Sequence, residues 1–215
     1  MRTLLALTAM TSAAVLVAAP AAGAGEDEDQ QIADEAVLTL ADLPDGWEEG
    51  DPPDEEDPAK GLVPACRAIE RAVEEGDEQP RAESPDFDDT NDPNAVASVS
   101  NEVIVFPKVK GAKRYLKPFK ADGEDCLLGR AEEFPGVVDA SIEEIEVTGF
   151  GDDAHGYTVF VTVESNGEEF TFANDLVVVR VGRAVASFVT ENLDDPLPDG
   201  PDIADVVVSR LEDAL

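Results

Sequence analysis

The chain has 215 residues, with 49 Asp and Glu against 15 Lys and Arg, a formal charge of −34 and 43% hydrophobic residues. Such a surface repels phosphate backbones, which excludes nucleic acid as a partner and disfavours an anionic membrane face. The apolar share is large enough to bury a core, and the charge itself is read as solubility rather than as adaptation to high salt.

Met1 and Arg2 start the chain with a positive charge, Leu4 to Ala19 is apolar and alanine-rich, and Pro20 interrupts it. Ala22-Gly23-Ala24 follows as a small-x-small site. This pattern predicts a signal peptide over residues 1–24, cleaved near Ala24, and a secreted, extracellular product. No cysteine near the site could carry a lipid, and no later stretch is apolar enough to cross a bilayer, so stable membrane insertion is not expected. Residues 25–30 read as a disordered acidic spacer, and residues 31–215 as a single α+β domain.

Ile32, Ala36, Val37 and Leu40 fall at helical spacing and predict a helix over 32–42, ended by Pro44. Residues 48–57 are acidic, contain Pro52 and Pro53, and read as an exposed loop. A second helix is predicted from Pro58 or Ala59 to Gly76, with Leu62, Cys66, Ile69 and Val73 in one stripe. Residues 77–94 read as another acidic surface loop. Ala95–Phe106 alternates as a strand, with Val99, Asn101, Val103 and Val105 on one face. A helix over 108–121 turns Tyr115, Leu116 and Phe119 inward, and a separate short helix or turn over 124–133 carries Cys126. Asn166-Gly167 and Gly182 mark two hairpins, and Ile203, Val206, Val207, Leu211 and Leu215 mark a last helix. The expected fold is an antiparallel sheet of about five strands with helices on one face.

Cys66 and Cys126 are the chain's two cysteines. Export makes them a disulfide, and without C-x-x-C spacing they read as structural rather than redox-active. Six of the basic residues crowd into 108–120. Within that island Lys113, Arg114 and Lys117 could meet an anionic ligand, or could serve only to neutralise nearby acids. Trp47 and Tyr115, with Phe119, are candidate aromatic lining residues of a ligand cleft. His155 is the sole histidine and reads as a turn residue between strands, with no G-x-S-x-G elbow to serve. Asp86, Asp88, Asp89 and Asp92 resemble a calcium loop, but Asn91 and Ala97 stand where glycine and glutamate are required. No catalytic residue, metal site or cofactor is assigned.

The order of these features resembles a family. Ala41-Asp42-Leu43-Pro44-Asp45-Gly46-Trp47, a helical cysteine, the strand 95–106, a second cysteine, Phe150-Gly151-Asp152 and Val177-Val178-Val179-Arg180-Val181-Gly182-Arg183 succeed one another over residues 34–215. This resembles the PknH-like extracellular sensor-type domain of actinobacterial proteins. The resemblance implies an α+β fold with a cleft for a ligand, and it carries over no ligand-binding residue. Members often hold two disulfides, where this chain has cysteines for one. The expected function is a secreted, non-enzymatic, sensor-like domain that binds an unknown small molecule or envelope component. The alternatives are a carrier of an apolar or lipid ligand and a carboxylate-based hydrolase.

Overall fold

The computed structural model describes residues 24–50, 63–91, 97–165, 167–198 and 200–215. Residues 1–23 of the expected signal peptide, residues 58–62 of the expected second helix, Asp92 and Asn166 lie outside them. The strands are β1 (Trp47–Glu49), β2 (Arg81–Glu83), β3 (Phe87–Asp89), β4 (Ser98–Val105), β5 (Val137–Ile145), β6 (Asp153–Ser165), β7 (Glu168–Val181) and β8 (Ala184–Leu193). The helices are α1 (Ala24–Ala36), α2 (Arg67–Asp77), α3 (Val109–Glu133) and α4 (Gly200–Ala214). All strand pairs are antiparallel, in the order β1-β3-β4-β8-β7-β6-β5, with β2 also paired to β4.

The sheet thus has eight strands rather than about five. The additional ones, β1, β2 and β3, are three residues long and sit in stretches that read as acidic loops. Three residues are too few for alternation to show. They are strands because β4 offers a free edge, and because Phe87 buries fully beneath that edge.

Helices cover both faces, not one. α1 and α4 pack over Val99, Val103, Val105, Val179, Ala186 and Phe188. α2 and α3 pack over Ile104, Val178 and Val185. The central strands are apolar on both sides, so each side needs a cover. Residues 25–30 are not a spacer but the first turns of α1. Asp29 holds Arg183 at 2.6 Å, and the Gln30 amide donates to the Arg81 carbonyl at 2.7 Å, which tethers an end that composition alone would leave free. The helix predicted over 32–42 instead stops at Ala36, and Leu40–Asp42 is a separate 3-10 turn.

α3 is one helix of 25 residues running through Pro118, where two segments were expected. An internal proline costs roughly 3 kcal/mol through a lost hydrogen bond and a ring clash. The flanking Tyr115, Leu116 and Phe119 are all buried, and that burial outweighs the cost. Gly123 lets α3 approach the sheet: a Cβ there would stand 2.6 Å from the Tyr157 ring. The Cys66–Cys126 disulfide joins the turn before α2 to α3, with Cα atoms 4.7 Å apart. Both predicted hairpins form, with φ of +82° at Gly167 and +54° at Gly182.

The second hairpin is pinned by an ion pair between the buried Arg180 and the exposed Asp152. Arg180 donates to the Asp152 carboxylate at 2.9 Å and to the Gly182 carbonyl at 3.1 Å, and the Gly182 N–H donates to the same carboxylate at 2.7 Å. The Gly182 N–H holds the Asp152 carboxyl below the ordinary aspartate range; partial desolvation opposes this and Arg180 reinforces it. A carboxyl lowered by folding stabilises above its unfolded pKa, and that gain fades as pH falls through the folded value. Asp152→Asn should therefore cost about 1 kcal/mol at neutral pH, the screened value of such a bond. Urea titrations repeated at falling pH should show the deficit closing below about pH 4. A deficit independent of pH would mean that shape rather than charge matters here.

Candidate functional site

Residues opposite one another in an antiparallel pair share a face, so the registers map the sheet surface. On the α2–α3 side, one row runs Ser100, Val189, Leu176, Tyr157. The next runs Ser98, Glu191, Asn174, Val159, Ile142, and beyond it lie Phe172 and Val161, then Phe170 and Val163. Tyr157 of the first row and Val159 of the second are buried, and the other members of these two rows are half-buried or exposed. α3 buries Tyr115, Leu116, Phe119 and Cys126 against the sheet, and none of its residues after Cys126 is buried. Val161, Val163, Phe172 and Phe170, half-buried or exposed, therefore face an open trough.

The trough has two ends of different chemistry. The apolar end, about 480 Å³, lies between the C-terminal part of α3 and β6–β7, and is lined by Ala131, Phe134, Val159, Val161, Val163 and Phe172. Arg130, Asn174 and Glu191 supply its polar groups, and Arg130 is occupied by Glu70 at 3.0 Å. The other end, about 500 Å³, carries Glu49, Glu83, Asp86 and Glu102, with Ser100, Ser187 and Val189 on its floor. Val189, on the floor of the acidic end and two residues from Glu191 of the apolar end, is 46% exposed, Phe134 likewise 46% and Phe170 38%. This exposed aliphatic and aromatic surface makes the trough the candidate binding face.

Two carboxylates stand on the trough floor. Desolvation raises the pKa of Glu102, with Arg81 at 3.2 Å partly offsetting it. Desolvation raises that of Glu191 too, and the Asp88 charge adds to the effect. Among the described residues no cation pairs with Glu191.

The residues singled out from the sequence are not gathered in the trough. Lys113, Arg114 and Lys117 lie on the solvent side of α3, where Arg114 pairs with Glu75 at 2.7 Å. Lys120 of the same island pairs with Asp153. Tyr115 points the other way and is 4% exposed, packed between Phe106 and Phe119. Trp47 is half-buried and packs against the core on the opposite face of the sheet. His155 is not in a turn but within β6, edge-on to Tyr157, with its Nε2 2.8 Å from the phenol oxygen and its Nδ1 3.6 Å from Glu144. Among the described residues no cluster of His, Cys, Asp and Glu is arranged to hold a metal ion. None of their helices is long and apolar enough to cross a membrane.

The trough residues Val159, Val161, Val163 and Phe172 were within reach of the sequence as strand residues. What could have marked them is that both sides of the 157–174 hairpin are rich in Val and Phe, more apolar surface than the predicted helices could cover.

No protein-family model matches the chain, and no curated protein matches it. Among solved structures, the extracellular domain of PknH from Mycobacterium tuberculosis superposes with a TM-score of 0.53 at 11% identity, over 86% of this chain and 96% of that one. LpqN of Mycobacterium tuberculosis, described as involved in cell envelope biogenesis, aligns over 78% of each chain at 19% identity with a TM-score of 0.30. At this identity the likeness to the PknH domain is one of fold alone.

Proposed function

We propose that this protein is an exported, non-enzymatic binding domain of the cell envelope or exterior, and that the open trough receives the apolar portion of its ligand. The observation that carries the reading is the partly covered half of the sheet, where Val161, Val163, Phe172 and Phe134 line about 480 Å³ over the buried Val159, beside a helix end whose residues after Cys126 are half-buried or exposed. Apolar surface gains about 25 cal/mol per Å² on leaving water, so an acyl or aryl group lying on these residues would be held by area alone. The signal-like N-terminal sequence, the single disulfide and the fold shared with an extracellular domain support the exported setting. The trough is open along its length, which suits a sensor or presenting domain that holds one segment of a ligand. A carrier that encloses a whole lipid would need a closed cavity. The basic face of α3, with Lys113 and Lys117, is a second candidate contact for an anionic envelope component.

The test is binding of the neutral fluorophore N-phenyl-1-naphthylamine, with Val161→Asp as the blocking variant. Val161 is only partly buried, so the variant should stay folded. A charge in the middle of the trough should weaken binding at least about tenfold, the equivalent of 1.4 kcal/mol. Equal binding by both proteins, or none by the parent, would overturn the reading.

A further inference from the structure

The two ends of the trough differ in a way that specifies the ligand's head group. We infer that the trough takes an amphiphile with a cationic head, its apolar part lying on Val159, Val161 and Phe172 and its ammonium or guanidinium group reaching Glu191. This rests on the trough being the binding face, and adds the chemical class of the ligand.

The argument is one of position. Glu191 lines the apolar end directly, beside Asn174 on β7 and Ser98 on β4, its partners in the same row. It is therefore the first carboxylate that a chain lying on the β6–β7 valines meets on the way to the acidic end. Glu102 lies four residues beyond Ser98 along β4, with Glu83 opposite it on β2. The charged side chains of these rows are thus carboxylates, apart from Arg81, which is shared among Asp77, Glu83 and Glu102. Arg130 does not compensate Glu191, since it is held by Glu70. An ionised carboxylate partly removed from water and without a counter-charge is unfavourable. Desolvation and Asp88 express that cost as a raised pKa for Glu191. A cationic head would supply the missing counter-charge, whereas a carboxylate or phosphate head would meet repulsion from four or more acids. An apolar chain without a head would leave Glu191 further desolvated and still unpaired.

The experiment compares three probes of equal chain length below their micelle concentrations: decylammonium, decanol and decanoate, each titrated into the full chain by calorimetry. Decylammonium should bind about tenfold more tightly than decanol, and decanoate more weakly than both. Glu191→Gln should bring the ammonium-to-alcohol ratio close to one, and Glu191→Asp should keep most of it. The diffuse field of a −34 protein is controlled by Glu212→Gln on α4, an exposed site on the opposite layer, which should leave the ratio unchanged. If decanol and decylammonium bind alike, or if Glu212→Gln erases the preference as well as Glu191→Gln does, the cationic head is refuted while the apolar trough stands. If none of the three probes binds, the trough reading itself fails.

Discussion

Removing the disulfide should lower stability by about 4 kcal/mol. The bond joins residues 60 apart in sequence, and closing a loop of that length removes about 4 kcal/mol of chain entropy from the unfolded state. For a domain of this size that is a fall in Tm of about 10 °C. Cys66 and Cys126 are 0% and 3% exposed, so a Cys66→Ala/Cys126→Ala pair leaves small apolar groups in an apolar setting, and its cost is chiefly the lost cross-link. The mechanism has its own signature in urea. If the bond acts through the unfolded chain, the double variant unfolds to a more expanded state and its m-value rises along with the drop in midpoint. A loss under about 1 kcal/mol with an unchanged m-value would mean that packing between α2 and α3 already does the work assigned to the bond. The native protein should also resist thiol reagents until a reductant is added.

The disulfide belongs to the part of the molecule that was legible from sequence, and the reason is physical. Export chemistry makes pairing of two lone cysteines nearly obligatory. Asn166-Gly167 and Gly182 mark their turns because positive φ restricts the residues that can stand there. The alternation in Val99, Asn101, Val103 and Val105 placed β4 and its faces correctly, down to the buried Asn101, whose carboxamide oxygen accepts the Leu38 N–H at 2.8 Å. What was not legible depends on partners remote in sequence. α1 begins earlier than its hydrophobic spacing implies because Asp29 meets Arg183, 154 residues away. α3 runs through Pro118 because tertiary burial outweighs a local penalty. Helices on both faces follow from central strands that are apolar on both sides, which a count of hairpins does not reveal.

The residues singled out from sequence and the trough lie apart for a related reason. Aromatic and basic residues drew attention as ligand contacts, yet Tyr115 and Trp47 pack against different cores on opposite sides of the sheet, and the lysines of α3 face solvent. The trough is made of ordinary strand valines and phenylalanines whose distinction is to be incompletely covered. Coverage is a property of where a helix stops burying residues, here after Cys126, and no residue type encodes it.

Phe87→Ala should cost about 3–5 kcal/mol, the range for a fully buried phenylalanine, and it separates stability from binding. Phe87 is the largest fully buried side chain among the described residues, 0% exposed, yet it stands on a strand of only three residues between Asp86 and Asp88. Its ring is the anchor that draws an acidic, otherwise exposed segment onto the edge of β4, through the Phe87–Val99 pairing. β1 in turn pairs with β3, and the Gly50 N–H donates to the Asp86 carbonyl at 2.9 Å, so the acidic wall of the trough hangs on the same side chain. The variant should therefore lose amide-exchange protection first across residues 81–89 and 47–50, and its preference for a cationic head should shrink as that wall loosens. Its affinity for the neutral fluorophore should hold, because β6 and β7 are held by their own long pairing of thirteen residue pairs. Phe134→Ala supplies the opposite case. Phe134 is 46% exposed and lines the apolar end, so its removal should change stability by less than about 1 kcal/mol while weakening the fluorophore several-fold. A Phe87→Ala protein that lost both ends together would show that β1–β3 and the β6–β7 trough unfold as one cooperative unit, rather than as an edge built onto an independent sheet.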